Sequence, residues 1–464
     1  MFVSDTRSGK FRIPVVFLLI MLAFIAGPSR VTMAQDVTRP EIQRLLQNCL
    51  FVLWTGQETT DPLFQQQQQT LQARLKAGAV TGDELEAMLE TAFTAILDHH
   101  KTSRYNLKAM SESIEDVLSP YMDWPDVRKI MWRVSVSPAD KNSPMQIKIG
   151  TLAPPGTPWI TLPETIIFPE LETLTDGKLL FKIYGGGVLG DDADILEKMG
   201  VHRVDGCGCT ALGVLEASPE TSALLVPGLF KNYEEVDYIC EKFRKRLDVA
   251  FEQRGYILAG IIDTGFLYLF SKNKINSLED LRKQKVLTWF GAVENALFKE
   301  LGIEATPVTV PEVVSILSMG QADTVLLPPV WMLGMQAYQY TNYYFKPPLL
   351  YSPAAIFVSS YTRERLQQQI GVSETFAYNL QEIIVFEFNS MESEWKQRLR
   401  NYEQKSLKAF ETKCGMKAIT FCPEDQLVIE KAAKSVAQQL ADKVYPATFV
   451  DNIQQALVEY RTNH

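Results

Sequence analysis

Three groups of residues in this 464-residue chain have types and spacings that chemistry uses. The first is Gly185-Gly186-Gly187, followed by Asp191-Asp192. A phosphate loop offers backbone amides to an anion, but this run lacks GxGxxG spacing and its carboxylates would repel phosphate. Turn or helix-start glycines are the better reading. The second is His99-His100, at the end of a predicted helix. Such a pair can bind a metal, yet a helix C-terminus also favours partial positive charge. The third is Cys207-Gly208-Cys209, which strand alternation places on one face. A bond between those thiols is strained, so two small buried side chains are expected. His202 and His464 have no evident partners in the sequence, and no GxSxG, HExxH or Cys/His arrangement stands in a suitable context. No catalytic residue, metal or cofactor is therefore expected, and the chain is not expected to be an enzyme.

The first and third groups sit in a βαβ pattern. IKIGTLAPPGTPW is a strand ending in a Pro/Gly loop, LLFKIYGGG is a second strand, and VDGCGCT is a third. From Gln146 to about Ser360 strands and helices alternate, with strands predicted at 146–152, 179–184, 203–209, 256–263, 266–271, 285–289, 304–308, 323–327 and 354–358. That alternation predicts an α/β fold with a parallel sheet, whose ligands sit at the carboxyl ends of the strands. Helical spacing of Leu380, Ile383, Ile384, Phe388, Met391 and Trp395 predicts one helix from about Glu374 to Thr412. It would reach roughly 55–60 Å and could brace two lobes. Pro423 to Tyr460 reads as two further helices.

Ahead of this lies a different kind of sequence. Arg7, Lys10 and Arg12 precede an apolar run, Ile13 to Ala26, and small residues up to Ala34. That order is a cleavable secretory signal peptide over 1–34, placing the mature chain in the periplasm. An uncleaved anchor is the alternative, although the run is short for a bilayer span. Cleavage moves the formal charge from -9 to -12, which argues against a nucleic-acid partner. Residues 36–143 look wholly helical, with capping boxes at Thr38–Glu41 and Thr81–Glu84. They form an all-α domain, and SVSPADKNSP is its linker. Cys414 and Cys422 could close a small loop or stay free.

The segments GTLAPPGTPW, YGGGVLGDDADILEKM, LVPGLFKNYEEV, INSLEDLRKQKV and GIEATPVTVPEVVSILSMGQAD resemble solute-binding proteins of tripartite ATP-independent periplasmic (TRAP) transporters. GMKAITFCPEDQLVIEKAAKSVAQQLADKV resembles the family's closing turn and helices, so about 310 residues match in order. The resemblance implies a two-lobed periplasmic-binding-protein-like fold over 146–464, with a hinge and a long C-terminal helix. The chain is expected to cross between lobes near 263–266 and 352–356. The implied partners are a small-molecule ligand and the transporter's membrane subunits. Residues 36–143 lie outside the resemblance and could bind a protein partner or dimerise.

Departures from the family pattern sharpen the expectation. The family's carboxylate-gripping arginine aligns with Leu287, and a second basic position, after Gly265-Phe266, is Leu267. A polar stretch becomes Val325-Leu326-Leu327, and an aromatic before a helix start is Val310. An acid buried among these aliphatic residues would keep an unpaired charge, at a cost of several kcal/mol. Tyr268, Trp289, Phe290 and Trp331 stand beside them as flat apolar walls, and Trp159 either lines the cleft or packs at a helix start. The expected ligand site is therefore Trp159, Leu267, Leu287, Trp289, Val310, Leu327 and Trp331, holding a small, apolar or neutral ligand. Two alternatives stay open. Another arginine, Arg203 or Arg282, could grip an acid, or the lobes could have lost their ligand and serve as an interaction protein.

Overall fold

The computed structural model describes residues 39–464 apart from 58, 79, 119, 120 and 290, and of residues 115 and 289 the backbone alone. The expected signal peptide and the capping box at Thr38 lie outside the described residues. None of the described helices is long and apolar enough to cross a membrane.

Helices Arg39–Thr55, Pro62–Lys76, Gly82–Leu97, Arg104–Leu118 and Trp124–Val136 come first. Local chemistry starts the third: the Thr81 hydroxyl accepts from Glu84 N–H at 3.3 Å, and Glu84 accepts from Thr81 N–H at 3.0 Å. That helix then buries Leu85, Leu89, Ala92, Phe93, Ile96 and Leu97 along one stripe.

Ten strands follow: β1 (Met145–Thr151), β2 (Leu179–Tyr184), β3 (Gly206–Cys209), β4 (Tyr256–Ser271), β5 (Val286–Trp289), β6 (Ala305–Val308), β7 (Thr324–Leu327), β8 (Tyr343–Phe345), β9 (Leu350–Ser359) and β10 (Lys417–Ile419). They lie in the order β2-β1-β3-β9-β4-β7-β5-β6, with β8 joining β4 to β10. β1, β2 and β3 run parallel, as do β5, β6 and β7, so each end is an α/β lobe. The antiparallel pair β4 and β9 connects the two.

The sequence predicts two strands where β4 is one. Gly265 explains the apparent break. Its φ of 117° lies where side chains rarely go, and the β4/β9 register shifts between Asp263 and Gly265. The ladder continues on both sides, so one strand bends from one lobe into the other.

The long helix, Glu374–Thr412, fastens these parts together. At the bend, Arg400 Nε donates to Asp263 at 2.7 Å and its two Nη atoms reach Asp237. Tyr351 O–H on β9 donates to the other Asp263 oxygen at 2.7 Å. Further back, Arg104 of the helical domain makes two bonds of 3.1 Å to Glu382, and Arg128 chelates Glu387. Trp132 Nε1–H also donates to Glu387, and Asn379 bonds Thr102, Leu97 and His100. Buried charges are tolerable where each meets a shaped partner, as the bidentate arginines do here.

One cysteine reading needs revision, and one left open is decided. Cys207 and Cys209 form a disulfide, contrary to the expectation of two reduced side chains. Their Cα atoms are 5.3 Å apart, within the reach of a bridge, and Gly208 between them leaves the strand free to pinch. Cys414 and Cys422 are unpaired.

Candidate functional site

The lobes meet at the carboxyl ends of their parallel strands. From the first lobe, the loop after β1 delivers Trp159 on helix Pro158–Leu162. Pro163 has no N–H and its ring crowds the preceding turn, so the helix widens into a π segment over Pro163–Ile167 before resuming at Phe168. This places Trp159, Pro163 and Phe168 on one wall. Gly186 and Gly187, at φ of 68° and 72°, turn the chain after β2 and bring it back past the loop of β1. From the second lobe, β7 ends at Leu327 and helix Pro329–Gly334 carries Trp331 across the gap.

Trp159 and Trp331 close the cleft, with ring centroids 5.7 Å apart. Trp159 Nε1–H donates to the Asp263 carbonyl at 2.9 Å, tying the wall to the bend in β4. Behind the two rings lies a cavity of ≈ 30 Å³ lined by Ile149, Ile183, Ile262, Ile356, Phe388 and Trp395 among others. Its polar side chains are Thr151, Thr210 and Thr264 beside the indoles of Trp159, Trp331 and Trp395, and among the described residues no Lys, Arg, Asp or Glu lines it. Trp395 is buried and its Nε1–H has no acceptor among the described residues.

A second cavity of ≈ 30 Å³ shares Thr210 with the first and lies between Leu152, Leu212 and Leu215 of one lobe and Val293 and Val310 of the other. Each is about large enough for a water molecule or two, so anything bigger must part the lobes. Two carboxylates line this one, Asp191 and Glu294. Glu294 is 4% exposed and one of its oxygens has no partner among the described residues. Burial pushes its carboxyl up to about 7, tempered by its own backbone N–H. Beneath Thr210, Asp192 is fully buried and accepts from Thr210 N–H, Thr210 O–H and Gly213 N–H through one oxygen. Burial raises it to about 6, and those bonds oppose the rise. Asp192 also lies within 4.8 Å of the Cys207 and Cys209 sulfurs. Thiolates are the metal-binding form, and the disulfide leaves none.

The residues singled out from sequence divide between wall and core. Trp159 and Trp331 line the first cavity and Val310 the second. Leu267, Leu287 and Leu327 are buried in the second lobe's sheet, where they pair with Leu350, Thr306 and Tyr268, and they line neither cavity. The Trp289 side chain and Phe290 are outside the described residues. Tyr268 faces a separate surface groove with Tyr344 and Lys346. Arg203 is exposed, while Arg282 bonds the Leu301 carbonyl and Glu279, and neither lines either of these two cavities. Glu294, Phe388 and Trp395 are among the cleft residues that sequence reasoning did not place there. Helical spacing held a signal for Glu294, because Leu297, Phe298 and Leu301, all buried, share its face.

The sequence profile of the DctP family, described as bacterial extracellular solute-binding protein, family 7, matches residues 150–443. A solute-binding protein of Verminephrobacter eiseniae is 23% identical over 201 residues, 42% of this chain and 59% of that relative, so the match spans about three fifths of its length. Among solved structures, a TRAP periplasmic solute-binding protein of Ochrobactrum anthropi, with its C-terminus bound in the ligand-binding pocket, superposes with TM-score 0.58. It is 23% identical, over 69% of this chain and 97% of that one. The sugar-acid-binding protein of Advenella mimigardefordensis, in complex with galactonate, gives TM-score 0.60 at 19% identity, over 68% and 98%. A TRAP protein of Haemophilus influenzae with bound L-gulonate gives 0.59 at 16%, over 67% and 99%.

Proposed function

Because the chain belongs to the DctP family of bacterial extracellular solute-binding proteins, we propose that it is the periplasmic solute-binding component of a TRAP transporter. It captures a small, apolar or neutral ligand by closure of its two lobes and presents it to the membrane subunits. Closure is a shift of population between open and closed arrangements, with no bond made or broken. The bend at Gly265 and the contact between Trp159 and Trp331 supply the moving joint and the seam.

One observation carries the ligand class: among the described residues no basic side chain lines either cavity, and the first is apolar apart from threonines and indoles. The Advenella and Haemophilus relatives hold galactonate and L-gulonate, which favours an acid as the second reading. An acid here would face aliphatic walls in the first cavity and carboxylates in the second, a desolvated charge without a counterion. Thermal unfolding against galactonate, L-gulonate and succinate on one side and neutral apolar compounds such as octanol on the other separates the two. A ligand at a hundredfold its Kd adds about 2.7 kcal/mol. Stabilisation by the apolar set supports this proposal, and stabilisation by the acids alone overturns it.

A further inference from the structure

The second cavity contains a group that an apolar ligand alone does not explain. Glu294 opens helix Ala292–Glu300 at its third position, and its carboxyl folds back over Gly291, where a β-carbon would overlap it. Gly291 and Glu294 thus meet the space between the lobes together. Evolving a buried carboxyl with one oxygen unsatisfied costs stability, since the lost hydration is not replaced. The natural occupant for that oxygen is a donor arriving from the cleft. Asp191, on the facing lobe, lines the same space, and among the described residues no Lys or Arg lines it to offset the two carboxylates. The neighbouring walls are Leu152, Leu212, Leu215, Val293 and Val310.

We propose that Glu294 receives the polar end of the ligand, and that this end is an amine on an otherwise apolar body. The family's usual polarity is then inverted at this site: the protein supplies the anion and the ligand the donor. Thr210, which lines both cavities, marks the route from the carboxyl to the apolar space behind Trp159 and Trp331. This rests on the apolar-ligand reading above and deepens it.

Three probes of equal chain length test it: octylamine, 1-octanol and octanoate, titrated calorimetrically into the full mature chain at pH 8 and into Glu294→Gln. The parent should bind octylamine about tenfold tighter than octanol, the factor one charged hydrogen bond supplies, and octanoate weakest. Glu294→Gln should remove that tenfold preference and change octanol affinity less than about threefold, which also reports an intact cavity. If the parent binds all three alike, or the variant keeps the amine preference, the Glu294 assignment fails while the apolar reading stands. If octanoate binds best, or none of the three binds, both fail. Should the variant not fold, the parent's order of affinities decides.

Discussion

The sharpest consequence of burying Glu294 appears in stability against pH. Its carboxyl is held at about 7 in the folded chain against an ordinary value of 4.5. Between those values the folded state keeps a proton that the unfolded state has released. Rising pH therefore favours unfolding: the contribution is fully present below about 4.5, falls through the window, and is gone above about 7. At 1.36 kcal/mol per unit, the ceiling is about 3 kcal/mol. Glu294→Gln keeps the shape, loses the titration, and should equal or exceed the parent's stability at pH 8 while gaining little at pH 4.5. The assay is urea unfolding of both proteins from pH 4.5 to 8.5, read as the difference between their curves. Subtraction removes Asp192 and Glu403, which burial raises to about 6 and 7 in the same direction. A difference that stays flat across the window refutes the burial of Glu294 as described.

Other perturbations test the frame around the cleft. Arg104→Met leaves Glu382 buried near Asp248 and Glu252 without its cation and should cost about 3–5 kcal/mol in urea unfolding, whereas Arg104→Met with Glu382→Leu should recover most of it. A single variant losing less than about 1 kcal/mol contradicts the docking of the helical domain by this pair. Trp331→Ala removes the ring against Trp159 and should cost about 3–5 kcal/mol and widen the particle in small-angle scattering; an unchanged profile contradicts the lobe contact. Alkylation of the denatured, unreduced chain should label four cysteines, Cys49, Cys240, Cys414 and Cys422, and labelling of all six contradicts the Cys207–Cys209 bridge.

Most of the frame was legible because it depends on short-range periodicity. The Thr81 capping box, the alternating strands and the long helix from Glu374 to Thr412 each announce themselves within a few turns. β4 did not, because Gly265 reads as a break in sequence and acts as a bend in the sheet. The cleft was half legible. Trp159 and Trp331 stand at loop-to-helix junctions after strands, where α/β folds expose side chains. Leu287 and Leu327 sit on the strands themselves, and a strand side chain points into the cleft or into the lobe according to a parity that single-sequence reading does not fix. Glu294 was missed for the opposite reason: a glutamate is assumed solvated, and that assumption outweighed the helical spacing that puts it on the buried face of Leu297, Phe298 and Leu301.

The most direct measurement is mass spectrometry of material extracted from the protein purified from its export compartment, with the amount recovered per chain. A near-equimolar apolar compound, neutral or bearing an amine, is the predicted result. A sugar acid or dicarboxylate recovered at that ratio would contradict the cleft described here.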